Sequence, residues 1–328
     1  MRAAVVTRYG APDRVVIQNV SVPKPRAGHV LVRVHATAVT AGNARIRAAR
    51  FPPGFGVLAR PAIGFLGPRV RTLGGTLSGV VEQVGPGVID FEPGDEVAGM
   101  TGTRMRSHAE LAVAPIRSLA RKPPGVTHAD AAGILFGGST ALYFLRDRAK
   151  VTAGESVLVN GAAGSVGSTA VQLARHLGAT VTAVTSDSNR DLVLRLGATS
   201  AIDYRTTAAT EIGARFDVVF DAVGNISRSD GLPLLSDSGR LVLAVASLAG
   251  SVLARGRVIV GVTPERADDL SFLLGLVATG ELDAVTRVVG GLEDAPEAHR
   301  VVDSGRKVGN LVILPNGGTG SGDGRDVV

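Results

Sequence analysis

Residues 159–170 read VNGAAGSVGSTA, with glycines at 161, 164 and 167. A run of β-formers, SVLVN, precedes them, and a helical pattern, VGSTAVQLARHLG, follows. A tight turn alone needs fewer glycines, whereas this spacing suits the floor of a phosphate site. The first glycine permits the turn, the second lets backbone approach a pyrophosphate, and the third lets helix pack closely on strand. The helix N-terminus then offers unpaired N–H groups to the anion. Gly161, Ala162, Ala163, Gly164, Ser165, Val166 and Gly167 are thus the expected dinucleotide-binding turn. A second chemical signal lies about 20 residues on, where NAD-specific sites place an Asp or Glu that accepts from the ribose hydroxyls. Here the strand TVTAVT ends at Thr185 and Ser186, and Asp187 follows one residue later. With no acid at that tip, the expected cofactor is NADPH, Ser186 donating to its 2′-phosphate and Arg190 pairing with it.

Such a turn must sit in a βαβ unit, and the chain from about residue 125 supplies one. Strands SVLVN, TVTAVT, SAIDY, FDVVFDAV and RLVLAVA alternate with helical stretches, and their near-continuous apolar character predicts a parallel sheet covered on both faces. HADAAGILFGGSTALYFLRDRA (128–149) reads as helix broken at Gly137-Gly138, and GRVIVGV (256–262) as a further strand. The first 124 residues differ: short β patterns with turns such as Pro93-Gly94-Asp95 predict a barrel-like β domain. The expected fold class is α/β, with a β-barrel domain over 1–124, a doubly wound Rossmann domain over 125–262, a C-terminal segment over 263–315 and a disordered Gly-rich tail over 316–328. Within the first domain, FPPGFGVLARPAIGFLGPRVR (51–71) is apolar and long. If it borders the site, Phe51, Phe55, Leu58 and Phe65 would favour a hydrophobic, planar acceptor.

Composition removes several chemistries. The chain has no cysteine, which excludes disulfides, thiolate nucleophiles and Cys-ligated zinc or iron–sulfur clusters. Thirty-five Lys and Arg against 29 Asp and Glu give +6, but the basic residues are spread along the chain without a long run or aromatic interleaving, so no nucleic-acid partner is expected. The start, MRAAVVTRYG, carries too short an apolar run for a signal peptide, and no stretch approaches membrane-spanning length. The expected address is the cytoplasm, with no membrane partner.

The segments GGTLSGVVEQVGPGVIDFEPGDEVAG (74–99), ATAVTAGNARIR (36–47), HAELAV (108–113), NGAAGSVG, LGATSAIDY (196–204) and FDVVFDAVG (216–224) make the chain, over about 1–315, resemble the zinc-independent quinone oxidoreductase branch of the medium-chain dehydrogenase/reductase superfamily. The resemblance implies a GroES-like catalytic barrel beside the Rossmann domain, with the C-terminal segment returning to the barrel. It implies that Thr40 and Asn43 lie beside the nicotinamide, that Thr140 touches it or its ribose, and that Tyr204, Val223 and Gly224 belong to the cofactor site. His108 stands where an aromatic is common, and a histidine there is a candidate proton donor. The family's zinc-ligand positions fall on Val39-Thr40-Ala41 and Gly75-Thr76-Leu77, so no metal site is expected. The implied activity is NADPH-dependent reduction of a quinone or α,β-unsaturated carbonyl by a homodimer that takes small hydrophobic acceptors and extends its sheet through 257–262. An enoyl or keto reductase of specialised metabolism, and a crystallin-like NADPH binder without turnover, are the alternatives.

Overall fold

The computed structural model describes residues 1–317 except 57–60, 62, 66 and 253. Its second half is built on β8 (Ser156–Asn160), β9 (Thr180–Thr185), β10 (Ser200–Asp203), β11 (Phe216–Asp221), β12 (Leu235–Leu243) and β13 (Val258–Ile259), preceded in the chain by β1 to β7. These six strands form one sheet in the order β10-β9-β8-β11-β12-β13, all pairs parallel. Counted from β8, that is 3-2-1-4-5-6, the Rossmann order, whose topological switch lies between β8 and β11. Alternate residues face opposite layers. Val157, Val159, Val218 and Phe220 enter one core, and Leu158, Val219, Leu241 and Leu243 the other. The expected doubly wound sheet is therefore present, though β13 spans two residues where 256–262 reads as a strand.

The first half contributes β1 (Arg2–Val6) and β2 (Val15–Asn19), an antiparallel pair, and β3 (His29–Ala38), β4 (Thr76–Val84), β5 (Glu96–Met100), β6 (Leu111–Pro115) and β7 (Leu119–Arg121). The chain returns to them with β14 (Thr286–Gly291) and β15 (Asn310–Leu314), giving a seven-stranded sheet in the order β14-β15-β3-β4-β5-β7, with β6 on β3. The β15–β3 pairing sets Val312 opposite Ala38 and ties the end of the chain to the strand that leads into Thr40. Asn316, assigned to the tail from sequence, is folded: its amide donates to the carbonyls of Val34 (2.9 Å) and Glu110 (2.8 Å).

Among the helices, α1 is Ala41–Ala48, α2 His128–Leu142, α3 Ser165–His176 and α4 Arg190–Arg195. The glycine pair at 137–138 does not break α2, which runs through it and continues as a π-helical turn over Tyr143–Arg148. A Cβ on Gly137 would lie 2.3 Å from the Ser165 carbonyl, and one on Gly138 would lie 3.0 Å from Leu273. Gly137 lets α2 approach the start of α3, and Gly138 lets it approach the helix Ala267–Ala278 that carries Leu273, so close packing outweighs their weak helix propensity.

Candidate cofactor and active site

The start of α3, the tips of β8, β9 and β11, the β3–α1 junction and the segment before β15 enclose a cleft of about 540 Å³. Gly161, Ala163, Gly164, Ser165, Val166 and Gly167 line it, while Ala162 is buried behind them. Gly161 has φ +78, and a Cβ there would meet Val223 at 2.5 Å. A Cβ on Gly167 would fall 2.1 Å from the Gly161 carbonyl. Gly164 differs: its φ is −79, and a Cβ would meet only the Gly161 carbonyl, at 3.4 Å. The turn is therefore a cradle whose middle position the protein itself leaves open, as the approach of a pyrophosphate requires.

Asp221 closes β11 and is fully buried. Its carboxylate accepts from the Asn160 side-chain amide (2.9 Å) and from the backbone N–H of Val223 (3.0 Å), Gly224 (3.1 Å) and Ile226 (3.2 Å). It shapes the loop that puts Val223 and Asn225 on the cleft; Gly224, at φ +93, is exposed and outside the lining. The sequence signal for Asp221 is an acid that closes an apolar strand just before Ala-Val-Gly.

Around the tip of β9 the cleft is lined by Ser186, Ser188, Asn189, Tyr204 and Arg205. Ser186 and Ser188 share a hydrogen bond of 2.9 Å, and the Asn189 amide donates to Ser186 at 3.0 Å. Arg190 is not among the lining residues; it turns away on α4 and donates to the Ala201 carbonyl at 3.0 Å. Asp187 is exposed and outside the lining as well. Arg205, immediately after Tyr204, is the arginine that lines this part of the cleft. Its side chain meets no carboxylate among the described residues.

Three more cations reach the cleft: Arg45, Arg306 and Lys307. Arg306 and Lys307 precede β15, and the Gly309 N–H donates to the Ala163 carbonyl at 2.9 Å, clamping this segment onto the glycine turn. Burial lowers the Lys307 ammonium to about 8, and its Nζ donates to the Gly309 carbonyl. With Arg205 these make four cationic side chains, and no carboxylate lines the cleft.

The catalytic candidates divide. Thr40 lines the cleft at the N-terminus of α1. Asn43 does not; it forms a capping box with Thr40, its Oδ1 accepting from the Thr40 N–H and hydroxyl, both at 2.9 Å. Thr140 also lies outside the lining and donates to the Phe136 carbonyl at 2.8 Å, while Phe136 itself reaches the cleft. His108 is 1% exposed and its Nε2–H donates to the Ala38 carbonyl at 3.1 Å. Burial pushes its pKa down to about 4, so near pH 7 it is neutral and holds the end of β3 rather than a transferable proton. Phe51 and Phe55 are half-buried and Phe65 is exposed; none of the three lines the cleft, and Leu58 lies outside the described residues.

At the family's zinc positions, Thr76 is fully buried and its hydroxyl accepts from the Ala38 N–H at 3.2 Å. Among the described residues no three His, Cys, Asp or Glu side chains come together as metal ligands, and no helix is long and apolar enough to cross a membrane.

The buried histidines also predict a pH dependence of stability. Desolvation lowers His108 to about 4 and His299 well below its ordinary value, the latter helped by His108 and Arg47. Such groups bind fewer protons folded than unfolded, so their stabilisation is complete above about 6.5 and is lost as pH falls from there toward the folded values. The unfolding free energy is expected to be level from pH 7 to 8 and to fall below 6.5 by up to ~1.4 kcal/mol per pH unit for each histidine, and the melting temperature to fall with it. His108→Gln should reduce the slope; a melting temperature level down to pH 5 would contradict the assignment.

Comparison with known proteins agrees with this architecture. Residues 26–156 match the alcohol dehydrogenase GroES-like domain family, and residues 196–313 match the zinc-binding dehydrogenase family. The chain is 30% identical to the quinone oxidoreductase of Rattus norvegicus, over 96% of this chain and 98% of the relative. It is also 30% identical to the NADPH-dependent alkenal/one oxidoreductase of Arabidopsis thaliana, over 96% of this chain and 80% of that one. It is 33% identical over 95% of its length to the erythronolide synthase of Saccharopolyspora erythraea, of which it spans 9%. The solved quinone oxidoreductase of Coxiella burnetii superposes with a TM-score of 0.86 at 27% identity, covering 96% of this chain and 99% of that one.

Proposed function

The chain belongs to the medium-chain dehydrogenase/reductase superfamily, in its zinc-independent quinone oxidoreductase branch, and we propose from this that it is an NADPH-dependent reductase of quinones or α,β-unsaturated carbonyls. One observation carries the cofactor choice: a cleft with four cationic side chains and no carboxylate, whose β9 tip offers Ser186, Ser188, Asn189 and Arg205. A 2′-phosphate brings about −1.5 to −2 charge at pH 7, which an acid at that tip would repel and these groups accept. The glycine turn and the α3 N-terminus would hold the pyrophosphate, with Arg306 and Lys307 closing over it from the C-terminal segment. When bound, NADPH supplies the hydride.

The acceptor follows from what the residues lack. Val39-Thr40-Ala41 and the internally bonded Thr76 provide no ligand set for a Lewis acid, so the site suits an acceptor that spreads the arriving negative charge itself, as a quinone or enone does. Thr40 and Phe136 face the cleft from the barrel and from α2, where they exclude water and orient a planar substrate. The names of the rat and Arabidopsis relatives support this class. An enoyl reductase of specialised metabolism is a second reading, favoured by the match to erythronolide synthase. In the same proposal two copies pair along β13, the edge strand of the parallel sheet.

Arg205 provides the test. Losing one charge-assisted phosphate contact costs on the order of 1.5–3 kcal/mol, so Arg205→Ala is expected to weaken NADPH binding at least roughly tenfold and leave NADH unchanged. Arg190→Ala should alter neither. Fluorescence titration with both cofactors decides it; equal loss for NADPH and NADH would place the 2′-phosphate elsewhere.

A further inference from the structure

A second concavity, of about 490 Å³, shares no residue with the cofactor cleft. It is formed by the segment after β2, residues 69–72, the turn 104–106 and β6, and six cationic side chains line it: Lys24, Arg26, Arg69, Arg71, Arg104 and Arg106. In sequence these are scattered pairs; folding gathers them. All six are exposed. None has a carboxylate within ion-pair distance among the described residues, whereas Arg2, Arg33 and Arg121 of the same domain each hold one. The lining contains no acid and no aromatic ring, and its apolar part comes from residues such as Val20, Val70, Met105 and Leu111.

The turn that carries two of the arginines is held in an unusual backbone. Met105 and Arg106 have φ +51 and φ +81, successive non-glycine residues with positive φ. That conformation is costly for side chains with a Cβ and persists only where the surroundings impose it. It keeps Met105 half-buried against the core of β1, β2 and Leu73 while Arg104 and Arg106 stay exposed at the edge. Like charges crowded without carboxylate partners repel each other, and a concave surface concentrates their potential. The arrangement calls for an anion.

We propose that this concavity binds a phosphate ester carried on an aliphatic chain. Arginine outnumbers lysine five to one here, and its planar fork pairs two-pronged with phosphate oxygens in a way an ammonium does not. The apolar residues between the cations take alkyl groups, whereas the lack of an aromatic surface gives a nucleobase nothing to stack on. Two sources share this chemistry: a soluble alkyl phosphate and the headgroup region of an anionic lipid.

The test uses the full chain saturated with NADPH, so that the cofactor cleft is filled. Isothermal titration at physiological salt with n-octyl phosphate, below its micelle concentration, is expected to saturate one site per chain. Ethyl phosphate should bind at least tenfold more weakly, because it cannot use the apolar floor. Arg71→Gln/Arg104→Gln should weaken octyl phosphate at least tenfold, with melting temperature and NADPH affinity unchanged. Arg104→Gln alone should show a smaller loss in the same direction. Sedimentation with phosphatidic acid vesicles, without saturation by the monomeric ester, would identify the lipid headgroup as the source. The proposal is overturned if neither probe binds, if the double variant binds like the parent, or if a single-stranded oligonucleotide displaces octyl phosphate while ethyl and octyl esters bind alike.

Discussion

Gly164→Val is expected to fold normally and to lose NADPH affinity about a hundredfold. The backbone at 164 is extended, with φ −79, so the substitution carries no left-handed strain. The position where a side chain would be strained through its backbone is Gly161, at φ +78. A Cβ at 164 meets one protein atom, the Gly161 carbonyl at 3.4 Å, and otherwise faces the cleft. The isopropyl group therefore occupies the space the pyrophosphate must enter. Overpacking of this kind costs typically 1–3 kcal/mol, and the upper end corresponds to roughly a hundredfold in affinity. Gly167→Val should behave differently, because its Cβ would lie 2.1 Å from the Gly161 carbonyl and the strand–helix contact itself must open. Melting curves and NADPH titration of both variants separate the cases. Unchanged affinity in a folded Gly164→Val protein would move the phosphate site elsewhere.

Asp221→Ala should produce the largest loss of stability among the single changes considered. The variant removes a fully buried carboxylate and leaves the N–H groups of Val223, Gly224 and Ile226 without their acceptor, while the Asn160 amide keeps only its bond to Asn225. An unsatisfied buried donor costs about 1–3 kcal/mol, so a total of about 3 kcal/mol or more is expected even if some donors find water. At roughly 2–4 °C per kcal/mol the melting temperature should fall by roughly 6–12 °C. NADPH binding should weaken too, because Val223 and Asn225 lose their support at the cleft. Asp221→Asn, which keeps one acceptor oxygen, should fall between. A melting temperature within a degree of the parent would mean that the loop is held by other contacts.

The glycine turn was legible because each glycine's reason is local: a turn, a close approach, a helix on a strand. The parallel sheet was legible for a similar reason, since apolar strands buried on both faces leave a continuous signature in sequence. The helix through Gly137 and Gly138 was misread because its cause is distant. Only the fold shows that the Ser165 carbonyl lies where a side chain would stand. The same holds for Arg306 and Lys307, brought to the cleft by the β15–β3 pairing from more than a hundred residues beyond the turn. Arg205, next to Tyr204, lines the cleft and Arg190 bonds back to β10, a difference set by the direction each side chain takes in the fold and not by position in the sequence. His108 carried the residue type of an acid catalyst, and its burial, which sequence does not display, removes that chemistry.

The cleft is expected to select NADPH and to pass its reducing equivalents to a conjugated acceptor without a metal. The most direct measurement follows the disappearance of NADPH absorbance with a quinone and with an enone, using protein dialysed against a strong chelator and checked by elemental analysis. Steady turnover with at least one of the two acceptors, a clear preference for NADPH over NADH, and no stimulation by added zinc are expected. Turnover that appears only when zinc is restored, or tight NADPH binding without oxidation by any quinone, enone or aldehyde, would contradict that expectation.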